Sequence, residues 1–484
     1  AAGPAGPGRE KGHHLESLHC GVDFGTTNTR AALYDGAGVR VLPLDPANDL
    51  PHSLPSLLYI TRDQEPIIGR TAANTFIERN VDREVILRLV DLGVDIEAYV
   101  ASEPDKSESY RPMDRDHEMR EAVRAHALQE VNSPGRLFQS LKTLMRHREF
   151  TTTEVFGSLY QIEELVSLLL KPVKAAVDAA AGRDVARAVF GRPVRFSLNA
   201  DEDRLAEERL RTAAHIAGFR EVVFFYEPVG ACVEYAVAVP EERRLMVVDI
   251  GGGTCDVCVM HFAAGGDTAS RLAGSRILGV GGVPVAGDAI DREIIRGKMF
   301  PRFGKNARYG PSRLPMPQYL YNHLLDWQNL YKLNTEEIIH WLIAAEADCD
   351  QPRALRALRH LIQYNLGYPV AREVEAAKKR LSSEEETSIS LHHGDIQIEE
   401  RLERQEFAHI IEEQLEAMTE SLEAAESDAG LRPQDLDLVL TTGGTSLIPA
   451  VRALLERRYG PDRLHRRDTF TSVASGLAIV SRYL

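Results

Sequence analysis

An α/β chain of two related lobes facing each other across a cleft is what this sequence predicts, and three observations predict it. An apolar strand ending in Asp, then glycine and threonine, then a second apolar strand, stands near the start, at His19 to Tyr34. The same pattern returns at Leu245 to Met260, where Asp249 follows Asp23 by 226 residues, close to half of the 484-residue chain. A spacing that wide fits a duplicated lobe and not a solenoid of short repeats. A third glycine turn comes late, at Thr441-Thr442-Gly443-Gly444-Thr445, after a buried-looking strand. The length agrees, because it exceeds one compact core and suits two to three domain-sized units.

Taken in order, residues 1–17 open with Gly, Pro and Ala and lack the apolar run of a secretory signal, so they read as a disordered extension. The first ordered block is a strand through Cys20-Gly21-Val22-Asp23, a tight polar turn at Gly25-Thr26-Thr27, and a second strand ended by Asp35-Gly36. Residues 81–135 are charged and mostly helical in pattern, with a break rich in Pro and Ser from Ser102 to Pro112. The second block, Leu245 to Met260, repeats the strand–turn–strand pattern. Residues 305–370 hold both tryptophans, Trp327 and Trp341, and read as subdomain core. Val370 to Leu381 and Arg401 to Ala425 have amphipathic helical spacing, joined by a hairpin of Thr387–Leu391 and Ile396–Ile398. Pro449 to Arg458 is helical and follows the late glycine turn, as in a strand-to-helix phosphate or nucleoside turn. The expected division is 18–240 for the first lobe with an insert near 54–149, and 241–465 for the second with an insert near 284–400. A terminal helix within 466–484 returns to the first lobe.

Composition removes several function classes. Acids outnumber bases 72 to 57, a net charge of −15, and no basic patch stands out. Such a surface repels a phosphate backbone, so nucleic acid is not expected as a partner. No run approaches roughly 18 apolar residues, so neither is a membrane. The five cysteines are too few and irregular for a disulfide framework. Cys255 and Cys258 form a C-x-x-C, but an odd separation on a strand puts their side chains on opposite faces. No second Cys/His pair completes a zinc site. All five read as reduced thiols of a cytoplasmic protein.

A strand ending in Asp before Gly-Thr brings together outward-facing backbone N–H groups, threonine hydroxyls and a carboxylate able to hold a hydrated cation. Two such turns facing each other would clamp a polyphosphate, with Mg²⁺ between the carboxylates and the phosphate oxygens. The chain has neither a G-x-x-x-x-G-K-[ST] loop nor a G-x-G-x-x-G fingerprint, so P-loop and Rossmann readings fail.

Two phosphate turns followed by a late Gly-Gly turn resemble the actin-like ATPase superfamily, whose duplicated, ribonuclease H-like fold places two lobes around a nucleotide cleft. Four further blocks resemble the nucleotide-binding domain of the heat-shock protein 70 (DnaK-like) chaperones: Val189-Phe190-Gly191-Arg192-Pro193, Phe225-Tyr226-Glu227-Pro228, Gly287-Asp288-Ala289-Ile290-Asp291, and Glu375-Ala376-Ala377-Lys378-Lys379-Arg380-Leu381-Ser382. The resemblance runs from about Cys20 to Leu484 and stops without a peptide-binding β-sandwich, as in the truncated, YegD-type branch.

The resemblance implies ATP or ADP as ligand, with Mg²⁺ and, as a further candidate, K⁺. Asp23, Asp249 and Asp256 would hold the metal, largely through its waters. Thr26 and Thr27 would bond the phosphates from one side, and Gly251, Gly252, Gly253 and Thr254 from the other. Lys142 resembles the family's catalytic lysine and would offset charge on the γ-phosphoryl group, with Glu227, Asp249 and Thr254 completing the catalytic set. Glu375, Lys378, Lys379 and Ser382 would bond the ribose and adenine over a floor of Gly443, Gly444 and Thr445. The bland alternatives are a solvated helix lysine at Lys142 and a surface i,i+3 pair at Glu375 and Lys378. Leu447 stands where the family places an arginine, and Phe470 where it places an aspartate.

The implied function is an ATP-binding, slowly hydrolysing, chaperone-like switch, a weak Mg-dependent ATP hydrolase with protein clients or co-chaperones as partners. A small-molecule kinase and an ATP-dependent filament protein are the alternatives on the same fold. A nucleotide module without hydrolysis is disfavoured by Asp23, Lys142, Glu227, Asp249 and Thr254.

Overall fold

A computed structural model describes residues 18–100, 119–238, 241–265, 267–466 and 472–484. The expected extension, the break at Ser102–Pro112 and the departure at Phe470 lie outside them.

The first block folds as expected into β1 (His19–Phe24) and β2 (Asn28–Tyr34), an antiparallel hairpin in which Asp23 lies opposite Arg30. The turn closes with Gly25 N–H donating to the Asn28 carbonyl at 3.0 Å. β3 (Val39–Val41) continues the meander beside β2. The chain then leaves the sheet through α1 (Gly69–Asn80) and the single turn α2 (Leu141–Leu144). It returns as β4 (Arg187–Arg192), parallel to β1, and β5 (Glu221–Tyr226), parallel to β4. α3 (Glu227–Ala238) follows directly.

The second block repeats this plan. β6 (Arg243–Ile250), β7 (Cys255–Phe262) and β8 (Arg276–Val283) form an antiparallel meander. α4 (Gly287–Ile294) and α5 (Gly367–Arg380) lie in the excursion that follows. β9 (Leu438–Thr442) and β10 (Leu464–Arg466) then add on in parallel beside β6. The strand orders, β3-β2-β1-β4-β5 and β8-β7-β6-β9-β10, match strand for strand and direction for direction. The architecture is a mixed α/β one in which a single sheet topology occurs twice.

Alternation along the strands decides what lies between the sheets. Val22, Phe24, Ala31 and Leu33 face the helices Ile162–Ala181 and Ala200–Ala217, while Ala32, Tyr34 and Val189 face the opposite way. There they meet Leu245, Val247 and Cys258 of the second sheet, with α3 and α6 (Ser472–Val480) packed among them. α6 is buried along its whole length. A methyl group on Gly476 would overlap the Gly230 carbonyl, so α6 and α3 cross backbone against backbone, an approach glycine alone permits. Cys255 packs into the outer core and Cys258 into this inner one, on opposite faces as the spacing predicts. All five thiols are free.

The helical expectation for residues 81–135 is corrected. Leu87–Val100 and Met119–Glu130 form a long antiparallel ribbon, with a register shift between Asp91 and Asp95. Leu-Arg-Leu before that shift and Val-Asp-Ile-Glu after it alternate apolar with charged, a period of two that short windows confuse with an amphipathic helix. The hairpin near 387–398 extends to Glu386–His393 and Ile396–Glu403, which delays the helix expected from Arg401 to Arg404. Among the described residues no helix is long and apolar enough to cross a membrane.

Candidate functional site

The two Asp-Gly turns face each other. A methyl group on Gly252 would overlap Thr27 Oγ1, and one on Gly253 would lie 2.6 Å from Thr26 Oγ1 and 3.3 Å from Thr143 Oγ1. Gly251 N–H donates to the Thr254 carbonyl at 3.1 Å, closing the second turn as Gly25 closes the first. Backbone amides and threonine hydroxyls from both sheets therefore share one narrow space, where side chains on the glycines would leave no room.

Four carboxylates converge beneath the turns. Asp23 lies at the end of β1, Glu227 opens α3, and Asp249 and Asp256 stand directly opposite each other on β6 and β7. Lys142, on α2, donates to Glu227 Oε1 at 2.5 Å, and both side chains are buried. Burial works against the Lys142 ammonium, but Glu227, Asp23 and Asp256 outweigh it and hold its pKa above the ordinary lysine value. Burial pushes the Glu227 carboxyl up to about 7, with Asp23 and Asp256 adding to the rise against the pull of Lys142. Asp249 is driven well above the carboxylate range by burial and by Glu227, Asp23 and Asp256. Asp256 is pushed up to about 6 by burial, although it accepts the Val194 N–H at 2.6 Å. Asp23 has Arg30 Nη1 at 3.5 Å from its Oδ2.

A second group of polar residues lies where α4, α5 and the late glycine turn meet. Thr445 Oγ1 donates to the Gly251 carbonyl at 2.6 Å, tying the late turn to the second phosphate turn. Lys378 is buried and donates to Asp291 Oδ2 at 2.7 Å and to the Gly287 carbonyl at 3.2 Å. A methyl group on Gly287 would sit 2.9 Å from Thr445 Oγ1 and 3.3 Å from Lys378 Nζ, so these three elements touch. Glu375 pairs with Lys379 at 2.7 Å; the lysine is largely exposed. Burial raises the Glu375 carboxyl, yet Lys379 and Lys378 bring it below its usual value. Ser382 lies half-buried just past the end of α5. Gly443 has a left-handed φ of 79°, and a side chain there would strike the Ile250 carbonyl.

Sequence reasoning passed over several participants. Ser140, at a left-handed φ of 56° before α2, donates to Asp288 Oδ2 at 3.1 Å, and Asp288 N–H donates to the Gly252 carbonyl at 2.7 Å. Asp288 and Asp291 stand in a block quoted for its resemblance and were given no role. Arg30 and Thr442 were also missed. Setting the two hairpins side by side at their aspartates reveals the first, because Arg30 then occupies the place of Asp256.

The arrangement fits a hydrated divalent cation and a polyphosphate. Burial raises the pKa values of Glu227, Asp249 and Asp256, and repulsion among the acids adds to the rise at Glu227 and Asp249, a penalty that a cation bound among them would relieve. Among the described residues no three His, Cys, Asp or Glu side chains are gathered closely enough to chelate a bare ion. Thr442 Oγ1, beside Asp249 in the sheet register, and Asp291 Oδ1 are buried without hydrogen-bond partners.

The two excursions meet again through aromatic rings. Phe76 of α1 packs on Trp327 and Tyr368, with centroids 5.6 and 5.3 Å away, and Trp327 packs on Tyr368 at 4.9 Å. Asn365 Nδ2 donates to the Asn80 carbonyl at 3.3 Å, Asp82 N–H donates to the Tyr364 carbonyl at 3.2 Å, and His393 pairs with Asp82. Trp341 instead packs on Tyr309 within the second core, as expected of a core residue.

Comparison with known proteins gives consistent relatives. A profile described as Hsp70 protein matches residues 137–282 and 368–484. The chaperone protein DnaK of two Halobacterium salinarum strains, R1 and NRC-1, is 26% identical over 357 residues, covering 72% of this chain and 47% of DnaK. The chain spans about half the length of these curated relatives. The matched segments contain Lys142, Glu227, Asp249, Thr254, Asp256, Glu375, Lys378 and the late turn. Asp23 to Thr27 precede them, so their place in the site rests on geometry.

Proposed function

The chain belongs to the Hsp70 protein family, and from that premise we propose that it is an actin-like ATPase: a Mg-dependent, slowly hydrolysing nucleotide switch of chaperone type. The observation that carries this reading is the interlock of the two Asp-Gly turns over the buried Lys142–Glu227 pair. The two matched sheets are read as the cores of two lobes, 18–240 and 241–465, with 466–484 returning to the first.

In this reading the hydroxyls of Thr26 and Thr27 and the N–H groups of Gly251 to Thr254 grip the phosphate chain from its two sides. Asp23, Asp249 and Asp256 hold Mg²⁺ through its waters, with K⁺ a further occupant; a bound metal would supply positive charge against the phosphates. Lys142 supplies a fixed ammonium toward the γ-phosphoryl group from a buried position, where one such donor is worth about 10²–10³ in rate. Glu227, near its midpoint at neutral pH, is suited to accept a proton from an attacking water. Lys378, Glu375, Lys379, Ser382 and the turn Gly443 to Thr445 take the nucleoside, with Leu447 half-buried beside them in place of the family's arginine. The cytoplasm is the expected compartment, and protein clients or co-chaperones the expected partners.

Calorimetry with MgATP together with phosphate release tests this. The wild-type chain should bind ATP and release phosphate slowly, and Lys142→Ala should bind without release. Failure to bind any adenine nucleotide would confine the family likeness to the fold, and transfer of the phosphoryl group to an added hydroxyl compound would favour a kinase.

A further inference from the structure

Resting on the nucleotide reading of this cleft, we propose that Ser140 and Asp288 are positioning residues for Lys142, their hydrogen bond fixing the turn that carries the ammonium against the second phosphate turn. Ser140 immediately precedes α2, the place where a serine hydroxyl ordinarily accepts from the N–H groups of its own helix. Here it makes no such bond. Its backbone stands in the left-handed region at a φ of 56°, which is disfavoured for a residue with a side chain. The hydroxyl donates instead to Asp288 Oδ2 at 3.1 Å, across 148 positions of the chain. A local cap is given up and the backbone is held off its preferred region, both in favour of one distant carboxylate. Strain of that kind persists only where the surrounding structure imposes it, and it gathers at working sites.

Both ends of this bond are anchored in the site. Asp288, in the first turn of α4, donates its N–H to the Gly252 carbonyl at 2.7 Å, and a methyl group on Gly252 would lie 3.2 Å from Asp288 Oδ1. The carboxylate therefore lies against the second phosphate turn. Lys378 donates to the carbonyl of the preceding residue, Gly287, at 3.2 Å, so the same stretch also borders the nucleoside end. On the other side, the Ser140 carbonyl accepts the Thr143 N–H at 2.9 Å and opens the turn on which Lys142 stands. Leu141 and Met145 hold that turn down in the first core. Lys142 itself reaches Glu227 at 2.5 Å. Its ammonium is thus located by its own partner and by the residue two positions before it. Because α2 is a single turn with few backbone bonds of its own, the tie at Ser140 sets where the lysine stands. Small displacements of a group that acts on the transferred phosphoryl are costly in rate.

The test uses the full chain, with MgATP binding by calorimetry and phosphate release in single turnovers. Ser140→Gly and Ser140→Ala should each slow release roughly tenfold, the scale of one lost hydrogen bond to a charged acceptor, with ATP affinity unchanged. Glycine accepts the left-handed backbone and lacks only the hydroxyl, so it separates the bond from the conformation. Ser140→Asn, which tolerates the same backbone and offers an amide donor, should recover most of the rate. Asp288→Ala should cost as much as Ser140→Gly, and the double variant no more than either. If Asp288→Ala yields an insoluble chain, the contrast of Gly with Asn at Ser140 carries the test alone. A wild-type rate in Ser140→Gly, a loss confined to ATP affinity, no recovery in Ser140→Asn, or additive losses in the double variant overturn the positioning role alone. A wild-type chain that does not bind ATP, or binds it without releasing phosphate, overturns the ATPase reading and this proposal with it.

Discussion

The hairpins β1–β2 and β6–β7 share direction, turn closure and the position of their aspartate, yet they differ in the sign of the residue across the ladder. Asp23 faces Arg30, and Asp249 faces Asp256. A duplicated backbone thus carries a divided electrostatic task. The first hairpin is neutral by itself, and its glycine–threonine turn can meet anions directly. The second concentrates acid, holds Asp249 and Asp256 above their usual pKa values, and is complete once a cation arrives. Identical topology fixes where groups stand, and single cross-strand positions decide what they do.

The largest expected effect comes from the group that serves both halves. Lys142→Ala should lower phosphate release about a hundredfold or more while ATP binding persists, as read by single-turnover kinetics. It also strands Glu227 in a buried position, where loss of one partner of such a pair costs about 3–5 kcal/mol unless the acid takes up a proton. Urea denaturation at two pH values would read that cost, which should be smaller on the acid side.

Next comes the asymmetry of the aspartates. Asp249→Asn should weaken Mn²⁺ binding roughly tenfold, and Asp23→Asn less, because Arg30 already compensates Asp23. Equal losses in paramagnetic resonance titrations would erase the contrast between the hairpins.

A pH series sharpens it further. Glu227 and Asp256 are held at about 7 and about 6, above their unfolded values of 4.5 and 3.8. The stability they lend is therefore complete below those unfolded values and lost as pH rises through 6 and 7. Without metal, the chain should melt a few degrees lower at pH 8 than at pH 5.5. Mg²⁺ should raise the melting temperature at pH 8 and have little effect at pH 5.5, where protons occupy the same carboxyls. Calorimetric scans with and without Mg²⁺ give the answer.

The smallest effect concerns how the halves are held together. Phe76→Ala removes a ring wedged between Trp327 and Tyr368, and Tyr368 lies in the first turn of α5, whose last turn carries Lys378. Release of a fluorescent ADP analogue should become several-fold faster in a stopped-flow chase. An unchanged rate would make these rings packing alone.

Much of this site was legible in the sequence because its parts are contiguous. Asp23 to Thr27, Asp249 to Thr254 and Gly443 to Thr445 each announce themselves as a strand end followed by glycine, and the structure brings all three turns together. Lys142 and Glu227 lie 85 residues apart and were reached through resemblance, since no local pattern links a helix lysine to a distant Glu-Pro. Arg30 carries no local signal of its own, because its place opposite Asp23 emerges only when strand pairing is counted across the turn. The misread segment, 81–135, fails for a different reason. A two-stranded ribbon has one neighbour per strand, so its pattern is less regular than that of a sheet packed on a core.

The passage of α6 between the sheets has a consequence for how the chain acquires this structure. Gly21, on the first strand, would overlap the backbone at Ala478 if it carried a methyl group, so residues more than 450 positions apart are in contact. Until residues 472–480 arrive, the faces of β1 and β2 that carry Ala32 and Tyr34 lack the helix that packs on them, and α3, which lies against β6, lacks its partner. Contacts of such sequence separation are reached late and slowly, and the unfinished apolar surface invites association meanwhile. A protein whose relatives are chaperones is thus built so that its own first strands wait, exposed, for one of its last helices.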